Sequence, residues 1–99
     1  MPTRIELMPE VLQYFERILD HLVEHESPDP QARLAELIAA IEILRLNPDI
    51  GRPAERGLRE LVIGRRRQGG YLALYRYMAE VDTAFVLAVR SQREAGYPR

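Results

Sequence analysis

Gly57-Leu-Arg-Glu-Leu-Val-Ile-Gly64, Tyr71-Leu-Ala-Leu-Tyr-Arg-Tyr77 and Thr83-Ala-Phe-Val-Leu-Ala-Val-Arg90 are the runs that decide the fold. Each is short, rich in β-branched and aromatic residues, and bounded by turn residues, the pattern of a strand. The expected strands are Leu58 to Ile63, Tyr71 to Met78 and Thr83 to Arg90. A Gly/Arg loop, Arg65-Arg66-Arg67-Gln68-Gly69-Gly70, separates the first two, and Glu80-Val81-Asp82 separates the last two. Connections this short join antiparallel neighbours. Alternation in the Tyr71 run puts Tyr71, Ala73, Tyr75 and Tyr77 on one face and Leu72, Leu74, Arg76 and Met78 on the other. Both faces are largely apolar, so one packs on the rest of the chain and the other needs a covering partner.

Towards the N-terminus, the pattern changes to helical spacing. Pro9 suits the first turn of a helix, and Val11, Leu12, Phe15, Ile18, Leu19, Leu22 and Val23 form its apolar stripe. Ser27-Pro28-Asp29-Pro30 breaks that helix, with Asp29 capping the next and Pro30 at its first position. Leu34, Leu37, Ile38, Ile41 and Leu44 make the second stripe, and Asn47-Pro48 ends it, because a residue before proline avoids helical geometry. Asp49 to Pro53 reads as a loop. Before the first helix, Arg4 to Leu7 alternates as a short strand whose place at the edge or middle of the sheet is open. The expected fold is α+β: an N-terminal strand and an antiparallel helical hairpin packed on one face of a mostly antiparallel β-sheet. Residues 1–99 are expected to form a single domain.

Apolar residues make up 46% and charged residues 29%, an ordinary globular balance. No apolar run approaches the roughly 20 residues that span a bilayer, and the first residues lack a secretory signal's apolar stretch. A cytoplasmic protein without membrane contact is expected. Without cysteine there is no disulfide, thiolate metal site or thiol nucleophile. The net charge of −1 hides an asymmetry: residues 1–49 carry four arginines and ten acids, residues 50–99 ten arginines and five acids. A cationic second half favours an anionic partner, either nucleic acid or an acidic protein segment.

Few residues carry a chemical signal by themselves. His21-Leu-Val-Glu24-His25 spells a metalloprotease-like pattern, but the helix is short and lacks a further carboxylate ligand, so no metal and no cofactor are expected. Gly64 to Gly70 has neither the lysine nor the following helix of a phosphate loop. Arg65, Arg66 and Arg67 at the hairpin tip, with Arg59 and Arg90 from the strands, are candidate binding cations. Glu60 reads as a salt-bridge partner of Arg59 or Arg76.

Taken in order, the helical hairpin, Asn47-Pro48, Gly51-Arg52-Pro53, Leu58-Arg59-Glu60-Leu61, Gly70-Tyr71, Tyr75-Arg76-Tyr77 and Val86-Leu-Ala-Val with its Arg-Glu…Tyr ending resemble the RelE/ParE superfamily of bacterial toxins. The resemblance implies the toxin of a type II toxin–antitoxin (plasmid stabilisation) module. Such a toxin inhibits growth when free, is neutralised by a cognate protein antitoxin and enters a hetero-oligomer with it. RelE-like members cut messenger RNA on the ribosome, and ParE-like members inhibit DNA gyrase. If this chain were an endoribonuclease, the resemblance would make Arg76, Arg93 and Tyr97 its catalytic residues. Leu72 stands where such nucleases often carry arginine, and Ser91 where they often carry histidine. These departures favour the ParE-like gyrase inhibitor, with the ribosome-dependent nuclease and a degenerate toxin acting only as a binding module as alternatives. The uncovered sheet face, with Leu72, Leu74 and Arg76, is the expected antitoxin surface.

Overall fold

The structure, a computed structural model, describes residues 1–64, 69–93 and 97. Its elements are β1 (Arg4–Leu7), α1 (Pro9–Glu24), α2 (Pro30–Glu42), β2 (Arg52–Pro53), β3 (Arg59–Ile63), β4 (Tyr71–Met78) and β5 (Thr83–Ser91). The sheet order is β1-β5-β4-β3-β2; β1 runs parallel to β5 and every other pair is antiparallel. The α+β expectation holds, with one strand more than the alternation indicated.

Proline opens both helices. Between them Glu26 and Asp29 take left-handed backbone geometry, with φ of 51° and 47°. Asp29 accepts a hydrogen bond from the Ala32 amide at 3.2 Å and so satisfies one of the free donors of α2. The buried stripe of α1 is Val11, Tyr14, Phe15, Ile18 and Leu22. It includes Tyr14 and leaves Leu12 and Val23 exposed, because only the former shares the 11–15–18–22 side of the helix. From α2 and the 3₁₀ turn at Ile43–Arg45, Leu37, Ile41 and Leu44 are buried.

These side chains pack on Leu61, Ala73, Tyr75, Ala84, Val86 and Val89 from one sheet face. Each fully buried aliphatic or aromatic side chain contributes about 1.5–3 kcal/mol. Tyr75 is the hub: it is fully buried, donates its hydroxyl hydrogen to the Pro48 carbonyl at 2.7 Å and accepts from the Gly51 amide at 2.9 Å. A Cβ at Gly51 would lie 2.6 Å from the Tyr75 ring, so this close approach requires glycine.

The register of β4 with β5 slips between Leu74 and Tyr75, which pair with Ala88 and Val86. Leu87 is the extra residue of a β-bulge, and the inward set of β5 switches from Ala84 and Val86 to Val89. At one sheet edge, Asp82 accepts from the Thr3 hydroxyl at 2.7 Å and the Tyr77 hydroxyl at 2.8 Å, tying the β4–β5 turn to the start of β1. These two hydrogen bonds hold the Asp82 carboxyl below its ordinary value. At the other edge, Arg52-Pro53 pairs with Glu60 and Arg59, a place where proline's missing N–H does no harm. No helix among the described residues is long and apolar enough to cross a membrane.

Candidate functional site

The helices cover one face of the sheet; the register places Arg52, Glu60, Val62, Leu72, Leu74, Arg76, Phe85 and Arg90 on the other. A charged cluster forms on that face around Glu60. Its carboxylate accepts from Arg52 Nε and Nη2 at 2.9 and 2.6 Å, and from the Tyr97 hydroxyl at 2.5 Å. The Arg90 guanidinium lies 5.2 Å from the centre of the Tyr97 ring, a cation–π distance. Glu60 belongs to β3 and Arg90 to β5, so Tyr97, touching both, lies across β4.

Two opposing influences set the charge of Glu60. Burial pushes its carboxyl up, but the hydrogen bonds from Tyr97 and Arg52, with the nearby positive charges, outweigh burial and leave it below its ordinary value. The Tyr97 phenol goes strongly the other way, raised by burial and by its hydrogen bond to the carboxylate. At neutral pH the pair is a carboxylate and a protonated phenol. A depressed carboxyl is a weak base and an elevated phenol a weak acid, so neither is tuned for proton transfer near neutrality.

The three residues named for catalysis are not brought together. Arg76 is exposed, and its Nη2 donates to the Arg56 carbonyl at 2.9 Å, bracing the turn at Glu55–Gly57. Tyr97 is in the Glu60 cluster. Arg93 is on the helix side of the sheet, in a cleft of about 590 Å³ with Tyr14, Arg17, Ile18, His21, Leu22, Arg33 and Tyr71.

Among the expected binding residues, Arg59 faces the helix side and donates to the carbonyls of Asp49 and Gly51 at 3.2 and 2.8 Å. Its guanidinium organises the loop that seats Tyr75. Leu72 is on the open face as expected but only 5% exposed, so it forms the floor of that face rather than a contact point. Leu74 is half-buried beside Glu60, and Arg90 stacks on Tyr97. Arg65, Arg66 and Arg67 lie outside the described residues.

Glu60 pairs with Arg52 instead of Arg59 or Arg76. Neighbours along a strand point to opposite faces, so alternation alone separates Arg59 from Glu60. Arg52 was hidden because two residues show no period. The cleft residue Arg17 has no such signal either, although it sits four residues before His21, beside the Tyr14–Ile18–Leu22 stripe. His21 and His25 stack with ring centres 4.1 Å apart, and His25 Nδ1 lies 2.9 Å from the His21 carbonyl. Among the described residues no three histidine or carboxylate side chains cluster closely enough to hold a metal ion.

Comparison with known proteins bears on this arrangement. The chain is similar to the chromosomal ParDE toxin–antitoxin system of P. aeruginosa, with a TM-score of 0.75 at 19% identity over 90% of this chain and 95% of the other. It is similar to the RelBE2 toxin–antitoxin complex of Mycobacterium tuberculosis, with a TM-score of 0.63 at 24% identity over 93% of this chain and 100% of the other. It is also similar to a mutant of E. coli toxin RelE in the free state, with a TM-score of 0.65 at 15% identity over 96% and 88%. At these identities the likeness establishes the fold. No curated protein sequence matches the chain significantly. The model of one protein family, described as the ParE toxin of the parDE type II toxin–antitoxin system, matches residues 5–96. A match over nearly the whole chain shows that this chain belongs to the ParE toxin family of type II toxin–antitoxin systems.

Proposed function

We propose that the chain is a growth-inhibiting toxin held inactive by a cognate protein antitoxin, and that when free it acts by binding DNA gyrase rather than by cutting messenger RNA. One observation carries the choice between targets. The residues a nuclease of this superfamily would use are committed elsewhere: Arg76 braces a turn, Arg93 is across the sheet, and Tyr97 donates its hydroxyl hydrogen bond to Glu60. A cluster of ion pairs and hydrogen bonds suits recognition of another protein better than general acid–base work. The family match supports the ParE-like branch, and the toxin–antitoxin complexes among the similar structures support an antitoxin partner.

The antitoxin takes the open sheet face in this proposal. Leu74 and Phe85 are half-buried there, Val62 is exposed, and Arg52, Arg76 and Arg90 surround them. An amphipathic segment with acids flanking an apolar core matches that surface.

The test is induction of the toxin without antitoxin, followed by two assays. Inhibited supercoiling by purified gyrase, DNA-damage signalling and no codon-positioned cuts in primer extension are the expected results. Cuts within translated codons, abolished by Arg93→Ala or Tyr97→Phe in folded protein, would establish the nuclease instead. Harmless expression with neither activity would leave a toxin that acts only as a binding module.

A further inference from the structure

The side of α1 turned away from the core is not uniformly polar. Leu12 and Val23 are 51% and 59% exposed, and Leu19 between them is half-buried. Residues seven and four apart line up along a helix. The three therefore form one apolar stripe, about 16 Å long at about 1.5 Å per residue. An exposed leucine standing singly needs no explanation, but a row of apolar residues along one helix is the form in which helices meet a partner helix. Glu16, Asp20 and Glu24 are exposed and follow one another at four-residue spacing, so they run as an acidic row along the flank of the stripe.

This surface is opposite in sign to the open sheet face, where Arg52, Arg76 and Arg90 surround the apolar residues. The helices cover the other side of the sheet, so the two surfaces point away from each other. The two partners proposed for the toxin differ in the same way. An antitoxin segment with acids suits the cationic sheet face. An enzyme that handles DNA carries basic surface to hold phosphates, which the sheet face repels and the acidic row attracts. We propose that Leu12, Leu19 and Val23, with the acidic row beside them, are the surface that meets gyrase, seated against a basic amphipathic helix of that enzyme. The assignment rests on the gyrase reading above and adds to it the toxin's contact surface and the chemistry of the partner's.

The test is binding of purified gyrase to the purified toxin, followed by interferometry at low and high salt. The parent should bind, with association slowing as salt rises. Leu12→Arg and Val23→Arg each place a cation in the stripe and should each weaken the complex at least about tenfold, the scale of a lost apolar anchor. Glu16→Lys combined with Asp20→Lys should slow association about tenfold and flatten its salt dependence. Glu80→Lys, the same change of charge at the β4–β5 turn, is the control and should bind like the parent. The substituted positions are all exposed, so melting temperatures and binding of the co-expressed antitoxin should match the parent. A parent that does not bind gyrase removes the gyrase reading and this surface with it. A parent that binds, with stripe variants that bind equally well, removes the surface alone. The assignment also fails if the stripe variants lose the antitoxin, or if the parent is a dimer that Leu12→Arg dissociates. Those results give the stripe to the antitoxin or to a second copy of the chain.

Discussion

Tyr75 and Tyr97 each place a phenol at the centre of a polar network, on opposite faces of the same sheet. Tyr75, under the helices, bonds only to backbone: the Pro48 carbonyl and the Gly51 amide. Tyr97, on the open face, bonds to a side chain that is itself held by another side chain. Backbone partners cannot move without moving the loop, so the first network is part of the fold. The second can rearrange at small cost, as a surface that meets a partner must. Burial pushes both phenols above their ordinary value; the charged partner of Tyr97 pushes it further.

If this contrast is right, the same truncation has very different effects on the two faces. Tyr75→Ala is expected to lower stability by about 3–5 kcal/mol, the range for emptying a buried aromatic site. Tyr75→Phe keeps the ring but leaves a buried amide and carbonyl unpaired, at about 1–3 kcal/mol. Gly51→Ala should rival it, because the new methyl must displace the Tyr75 ring. Denaturant unfolding measures all three. A Tyr75→Phe variant as stable as the parent would show that the network is incidental.

On the open face the large effect should be in binding. Leu74→Asp puts a charge at the centre of the proposed antitoxin surface and should weaken the complex by about 2 kcal/mol or more, as for a central apolar anchor. The measurement is a titration with antitoxin after circular dichroism has shown the variant folded. Unchanged affinity would move the antitoxin to another surface. Tyr97→Phe should cost no more than about 1 kcal/mol of stability, since Glu60 keeps Arg52 and gains access to water. A loss as large as that of Tyr75→Phe would erase the distinction between the faces.

The difference between the faces also explains what the sequence discloses. The covered face is visible because alternation in β4 and helical spacing in α1 and α2 are local signals; Ala73 and Tyr75 follow from counting by two. The bulge at Leu87 is not visible, because Phe85 to Val89 is apolar at both parities and either set could face inward. The edge place of β1 is equally hidden, since Arg4 pairs with Thr83 far along the chain and no local pattern records it. The open-face cluster was legible in part. Family resemblance points to Tyr97 and strand position to Arg90, while the role of Glu60 depends on Arg52, in a strand too short to have a period. Arg93 and Tyr97 lie close together in sequence but on opposite sides of the sheet. After β5 no regular spacing tells which side a residue takes.

The smallest expected effect is the most specific to the cluster. Glu60 has a folded-state value below its ordinary 4.5, so its ionised form is favoured in the folded protein. Its contribution to stability is complete above 4.5 and is lost as pH falls through the lower, folded value. Tyr97 behaves in the opposite sense: its value is raised above the ordinary 10.0, so its contribution is complete below 10.0 and is lost only in stronger alkali. Between these limits the cluster's stability contribution is insensitive to pH. Carboxyl-detected NMR should show Glu60 titrating below 4.5 in the parent protein. Arg52→Gln and Tyr97→Phe should each move that midpoint upward, because each removes a donor that favours the carboxylate, whereas Tyr75→Phe, across the sheet, should leave it in place. A midpoint at the ordinary value in the parent, or one that Tyr75→Phe shifts as far as Tyr97→Phe does, would mean that Glu60 is not held by the groups on its own face.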